Sequence, residues 1–96
     1  MTRHHVNRLV SALQGLHLRA GGEGWELYVF NISCADDEWF LHIALIGDHC
    51  HCVTVQLAPT EDDHAAARHL VQAIHRWLAA GDRSQHGFLD LAEEVA

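Results

Sequence analysis

The chain contains no lysine: its six basic side chains are all arginine, set against thirteen Asp and Glu in 96 residues. Phosphate backbones are held by clustered Lys and Arg, so a formal charge of −7 argues against direct nucleic-acid binding. Long apolar runs are missing too. No stretch reaches the ~18 residues that a membrane-spanning helix needs. Met1-Thr2-Arg3-His4-His5 leads into an amphipathic segment rather than a hydrophobic leader. The expectation is a soluble, cytoplasmic protein with no membrane contact. Cysteine is scarce, at Cys34, Cys50 and Cys52, and without a secretory signal these read as reduced thiols. No glycine-rich loop follows a strand in phosphate-binding form. Repeats, low-complexity tracts and linkers are absent, and the length predicts one domain over 1–96.

What is abundant is histidine. With ordinary imidazole values near 6.5, about nine of the ten would be protonated at pH 5.5, carrying the net charge from −7 to about +2. The acids are local: Asp36-Asp37-Glu38 suits a turn, Glu61-Asp62-Asp63 a helix start, and Glu93-Glu94 the chain's end.

Val6, Leu9, Val10, Leu13, Leu16 and Ala20 recur at helical steps, predicting a helix from Thr2 to about Ala20 that Gly21-Gly22 stops. Trp25–Cys34, Trp39–Ile46 and Cys50–Leu57 read as strands rich in aromatic and β-branched residues, joined by an Ala35–Glu38 turn and a Gly47-Asp48-His49 loop. Thr60 and the acids after it predict a second long helix to about Ala80, burying Ala67, Leu70, Val71, Ile74 and Leu78. Ser84 predicts a short last helix with Phe88, Leu91, Ala92 and Val95 as its stripe. The expected fold is an α+β two-layer sandwich, α-β-β-β-α-α. In it a three-stranded antiparallel meander carries two long helices on one face.

The strand register follows from burial. Opposing Ile46 with Cys50, and Cys34 with Trp39, gathers Tyr28, Phe30, Ile32, Trp39, Leu41, Ile43, Leu45, His51, Val53, Val55 and Leu57 on one face. The other face then holds Trp25, Leu27, Val29, Phe40, His42, Ala44, Ile46, Cys50 and Cys52 among polar residues. That face is too apolar for free solvent, so Trp25, Leu27, Val29, Phe40, Ala44 and Ile46 form the expected partner or dimer interface. Tryptophan is enriched at interface centres. Of Trp25, Trp39 and Trp77, the first has the best claim because it opens an edge strand.

His49-Cys50-His51-Cys52 contains four potential zinc ligands, but alternation sends His51 to the face opposite Cys50 and Cys52. Cys50, Cys52 and His42 make a three-ligand candidate, one short of a closed structural zinc site. The plainer reading is that these cysteines are small hydrophobes. Cys52 with His42 would be a nucleophile pair only with an orienting group and oxyanion donors, neither of which the sequence supplies. His64, His69 and His75 fall on the second long helix, where a solvated flank is the simple account.

Helix, three strands, helix looks like the order of the double-stranded RNA-binding domain, a family that docks RNA with basic residues at the start of its second helix. Here those positions are Glu61, Asp62, Asp63 and His64, so element order alone is shared. Acidity, size and layout are also similar to type III secretion chaperones, homodimers that hold an unfolded stretch of effector; those chains have further strands after the middle helix. The reading reached is a non-catalytic, acidic adaptor that self-associates, as a homodimer, or binds a protein through an apolar sheet face. Its alternatives are a metal-binding protein and a secretion-chaperone-like dimer.

Overall fold

A computed structural model describes residues 2–59, 62–80 and 86–91. The elements run α1 (Arg3–Leu13), β1 (Leu16–Ala20), β2 (Glu23–Ala35), β3 (Glu38–Ile46), β4 (Cys50–Gln56), α2 (Asp63–Ala79) and β5 (His86–Asp90). One five-stranded mixed sheet results, in the order β1-β2-β3-β4-β5, curled into a half-barrel. Neighbours are antiparallel except β4 and β5, a parallel pair whose crossover contains α2. The expected three-stranded meander with three helices, and the two-layer sandwich built from it, are therefore wrong. Two further strands exist, one taken from each end of the predicted helical regions.

At the first, Thr2 caps α1 as expected, its Oγ1 accepting from the His5 N–H, and Val6, Leu9 and Leu13 are buried. The helix then stops seven residues early. Gly15 adopts φ +74°, a left-handed conformation that glycine takes without steric cost, and its N–H donates to the Leu27 carbonyl at 2.8 Å. Leu16, Leu18 and Ala20 alternate with His17 and Arg19, and this period of two wins over the helical spacing that Leu16 and Ala20 also satisfy. Gly21-Gly22, expected to end a helix, instead forms the two-residue hairpin loop between Ala20 and Glu23, with both φ values positive.

At the second, His86–Asp90 lies beside β4, with Val55 opposite Leu89 and Thr54 opposite Phe88. Ser84, Ala92 and Val95, which completed the expected last helix, lie outside the described residues. Gly87 matters here because a Cβ on it would come within 2.7 Å of the Trp77 ring, so α2 settles directly on the β5 backbone. For α2 itself, Asp62 is the N-cap, its Oδ1 accepting from the His64 and Ala65 N–H groups at 3.1 Å; the expected cap, Thr60, is outside the described residues. Leu70, Ala73, Ile74 and Leu78 form its buried stripe.

Both helices cover the same sheet face. Their apolar stripes join Leu18, Trp25, Leu27, Leu41, Ile43, Leu45, Val53 and Val55 in one continuous core. The β3–β4 register is the expected one, Ile46 opposite Cys50, and Cys34 does oppose Trp39. Between Val29 and Asn31, however, β2 carries a bulge, so Val29 opposes Ile43 while Asn31 opposes His42. One extra residue reverses which side chains face inward. Before the bulge Trp25, Leu27 and Val29 point to the core and Tyr28 and Phe30 away; after it Ile32 packs inward. Asn31 stabilises the irregularity locally: its Oδ1 accepts from the next N–H, Ile32, at 3.0 Å, in place of a ladder bond.

Candidate functional site

The sheet face away from the helices has a simple lateral order. Read across β2, β3, β4 and β5, its central row is the Phe30–Asn31 bulge, His42, Thr54 and Phe88. The next row holds Tyr28, Ala44 and Cys52, and the one beyond it Glu26, Ile46 and Cys50. On the opposite side lie Ser33, Phe40, Gln56 and Asp90. Neither Phe30-Asn31-His42-Thr54-Phe88 nor Tyr28-Ala44-Cys52 contains an arginine or a carboxylate, although the chain carries −7.

This face is open. Phe30 is 62% exposed, Phe88 59%, Ile46 46% and Tyr28 39%. These are the exposed large hydrophobic residues among the described residues, and all four sit on this one side. Leu41, Ile43, Leu45, Val53 and Val55, one residue out of phase on the same strands, are buried beneath the helices.

The bulge corrects half of the expected interface. Trp25, Leu27 and Val29 are not on the open face; they are core residues, with Trp25 only 2% exposed. Trp25 packs against His51, ring centroids 5.4 Å apart, and Trp77 of α2 closes edge-on over the same imidazole at 5.9 Å. Phe40 and Ala44 are half-buried and Ile46 exposed, all three on the outer face. Tyr28 and Phe30, which the unbroken alternation placed inward, belong with them. Phe88, read as helical, completes the row. The signal that could have located Phe30 outside is the Asn31 beside it, a residue suited to local side-chain bonds that break a ladder.

His42 lies at the centre. Its Nε2 is 3.0 Å from Ser33 Oγ, its Nδ1 is 3.4 Å from Thr54 Oγ1, and its ring tilts against Phe30 at 6.2 Å. A hydroxyl both donates and accepts, so this pair accommodates either imidazole tautomer. The arrangement holds a side chain in place. As a catalytic dyad, Ser33 with His42 has a hydroxyl on the far ring nitrogen where a carboxylate would orient the base. The pair sits on an open sheet face.

The metal candidates share the outer face but not a site. Cys50 opposes Ile46, Cys52 opposes Ala44, and His42 is turned toward Ser33 and Thr54. Among the described residues no three His, Cys, Asp or Glu side chains group closely enough to hold a metal ion. Nor is any described helix long and apolar enough to cross a membrane.

At the edge of the face Tyr28 donates its phenol to Glu26 Oε2 at 2.7 Å. That hydrogen bond, and then the carboxylate's charge, raise the phenol above its usual value of 10.0.

No protein-family model, curated protein or solved structure matches the chain.

Proposed function

We propose that the protein is a non-catalytic binding module whose working surface is the outer face of the sheet. The observation that carries this is the one-sided distribution of exposed bulk: Tyr28, Phe30, Ile46 and Phe88 on one face, with a row free of charged side chains between them. Interface centres are depleted of charge and enriched in aromatic residues.

Magnitudes support an occupant that brings an apolar surface of its own. At about 200 Å² per aromatic side chain, the exposed fractions of Phe30, Phe88 and Tyr28 amount to roughly 300 Å². Burial at ~25 cal/mol per Å² contributes on the order of 8 kcal/mol. Lost translational and rotational freedom costs about 4–15 kcal/mol. One face alone therefore only offsets association, whereas two apolar faces meeting roughly double the gain.

Site-specific photo-crosslinking tests the reading. A benzophenone side chain at position 30 or 88 should give covalent protein adducts in cells, and one at Asn7 or His69, exposed on the helical side, should not. Equal labelling from both sides, or none at positions 30 and 88, would refute it.

A further inference from the structure

Resting on the reading of the outer face as a binding surface, we infer that its occupant is a second copy of this chain, packed face to face about a two-fold axis. Three observations point that way.

The first is area. Phe30, Phe88, Tyr28 and Ile46 leave roughly 400 Å² of apolar surface per face. Two such faces, at the ~65% apolar share of homodimer interfaces, correspond to about 1,200 Å² in total, the lower bound for a specific complex. A single extended peptide strand would cover only part of the width of the four strands, β2 to β5, that carry this patch at spacings of about 4.8 Å. A second sheet face spans more of that width.

The second is charge. A chain at −7 meeting its own copy is favoured to do so through a surface poor in carboxylates. The two rows Phe30-Asn31-His42-Thr54-Phe88 and Tyr28-Ala44-Cys52 carry no carboxylate, with Glu26 and Asp90 in the rows that flank them. Half-buried Ala44, near the middle of the face, sets no bulky barrier to a second copy.

The third is the condition of the sheet edge, the other route by which β proteins pair. β2 is thirteen residues long, and β1 pairs only with Glu23–Leu27. The overhang beyond is blunted by the chain itself. Gln14 Oε1 accepts from the Val29 N–H at 2.8 Å, and its Nε2 donates to the Val29 carbonyl at 2.9 Å, as a neighbouring strand would. Asn31 takes the Ile32 N–H. This overhang, closed by side-chain amides, resists strand addition, which leaves the face and the outer edges of β1 and β5 as routes to self-association.

Sedimentation equilibrium of the full chain over low to high micromolar concentration should show a reversible monomer–dimer equilibrium. Phe30→Ser and Phe88→Ser are exposed changes that leave the core intact, which circular dichroism verifies. Each should weaken the dimer by at least ~30-fold, as expected of an aromatic anchor, while Asn7→Ser and His69→Ser leave it unchanged. A chain that stays monomeric at every concentration overturns the second copy; if crosslinks to other proteins still form from positions 30 and 88, the binding-module reading survives. A dimer untouched by Phe30→Ser with Phe88→Ser overturns the face-to-face copy, and the absence of crosslinks from positions 30 and 88 as well overturns both.

Discussion

Tyr28 is the chain's one tyrosine, so its acid–base behaviour can be followed without ambiguity. Its phenol donates to Glu26 only while protonated, and ionisation would place two negative charges side by side. The folded-state value is raised above the unfolded one. The contact's contribution is therefore fully present below about pH 10 and disappears as the pH rises through the raised value. Ultraviolet titration of the phenolate should give a midpoint above that of a free tyrosine, and Glu26→Gln should bring it down. An unchanged midpoint in Glu26→Gln would mean that the hydrogen bond is not held in solution. A second residue-level feature is the Asp36-Asp37 turn between β2 and β3, where φ is +52° and +64°. A two-residue hairpin of this kind prefers Asn-Gly, and a left-handed non-glycine residue costs roughly 1–2 kcal/mol. Asp36→Asn with Asp37→Gly should therefore stabilise by about 1 kcal/mol after the greater unfolded-state freedom of glycine is counted. For a domain of this size that raises Tm by roughly 4–8 °C, measurable by calorimetry.

Elements differ in how plainly the sequence announces them. β3 and β4 alternate without interruption, Leu41-Ile43-Leu45 against Val53-Val55-Leu57, and their register follows from that alternation alone. β1 and β5 are five residues each. A segment so short fits a helical stripe as well as a strand, and what decides between them is non-local: the Gly15 N–H reaching Leu27, and β4 offering an edge to β5. The bulge in β2 is the costliest omission, because a single residue moves Trp25, Leu27 and Val29 from the expected interface into the core. Phe40, Ala44 and Ile46 lie on the outer face as expected because β3 has no such break. Gln14 ties these facts together, since it ends α1, spans to Val29 just before the bulge and stands in for the missing length of β1. Gln14→Ala removes two part-buried hydrogen bonds and should cost about 1–3 kcal/mol. Denaturant unfolding gives the magnitude, and amide exchange should show Val29 losing protection ahead of Leu41 or Ile43; equal protection would place the stabilisation elsewhere.

At the scale of the whole molecule, two opposing terms decide whether copies meet: an apolar face that attracts and a net charge that repels. At pH 7 the repulsion is set by thirteen acids against six arginines. Neutrality falls near the sequence pI of about 5.7. Many of the histidines are on the surface, with His4, His17, His49, His64 and His69 exposed. Solubility should pass through a minimum close to pH 5.7, where colloidal repulsion vanishes. Charge alone cannot say what the chains then stick by, and a charge-neutral substitution can. Phe30→Ser with Phe88→Ser leaves the titration curve where it was and removes the two most exposed aromatic side chains of the open face. If the face drives association, the double variant keeps the position of the minimum but loses most of its depth in a turbidity series. If the depth is unchanged, contacts outside the sheet bring the neutralised chains together. A flat profile between pH 5 and 7 in the unmodified chain would instead mean that its histidines do not carry the charge swing.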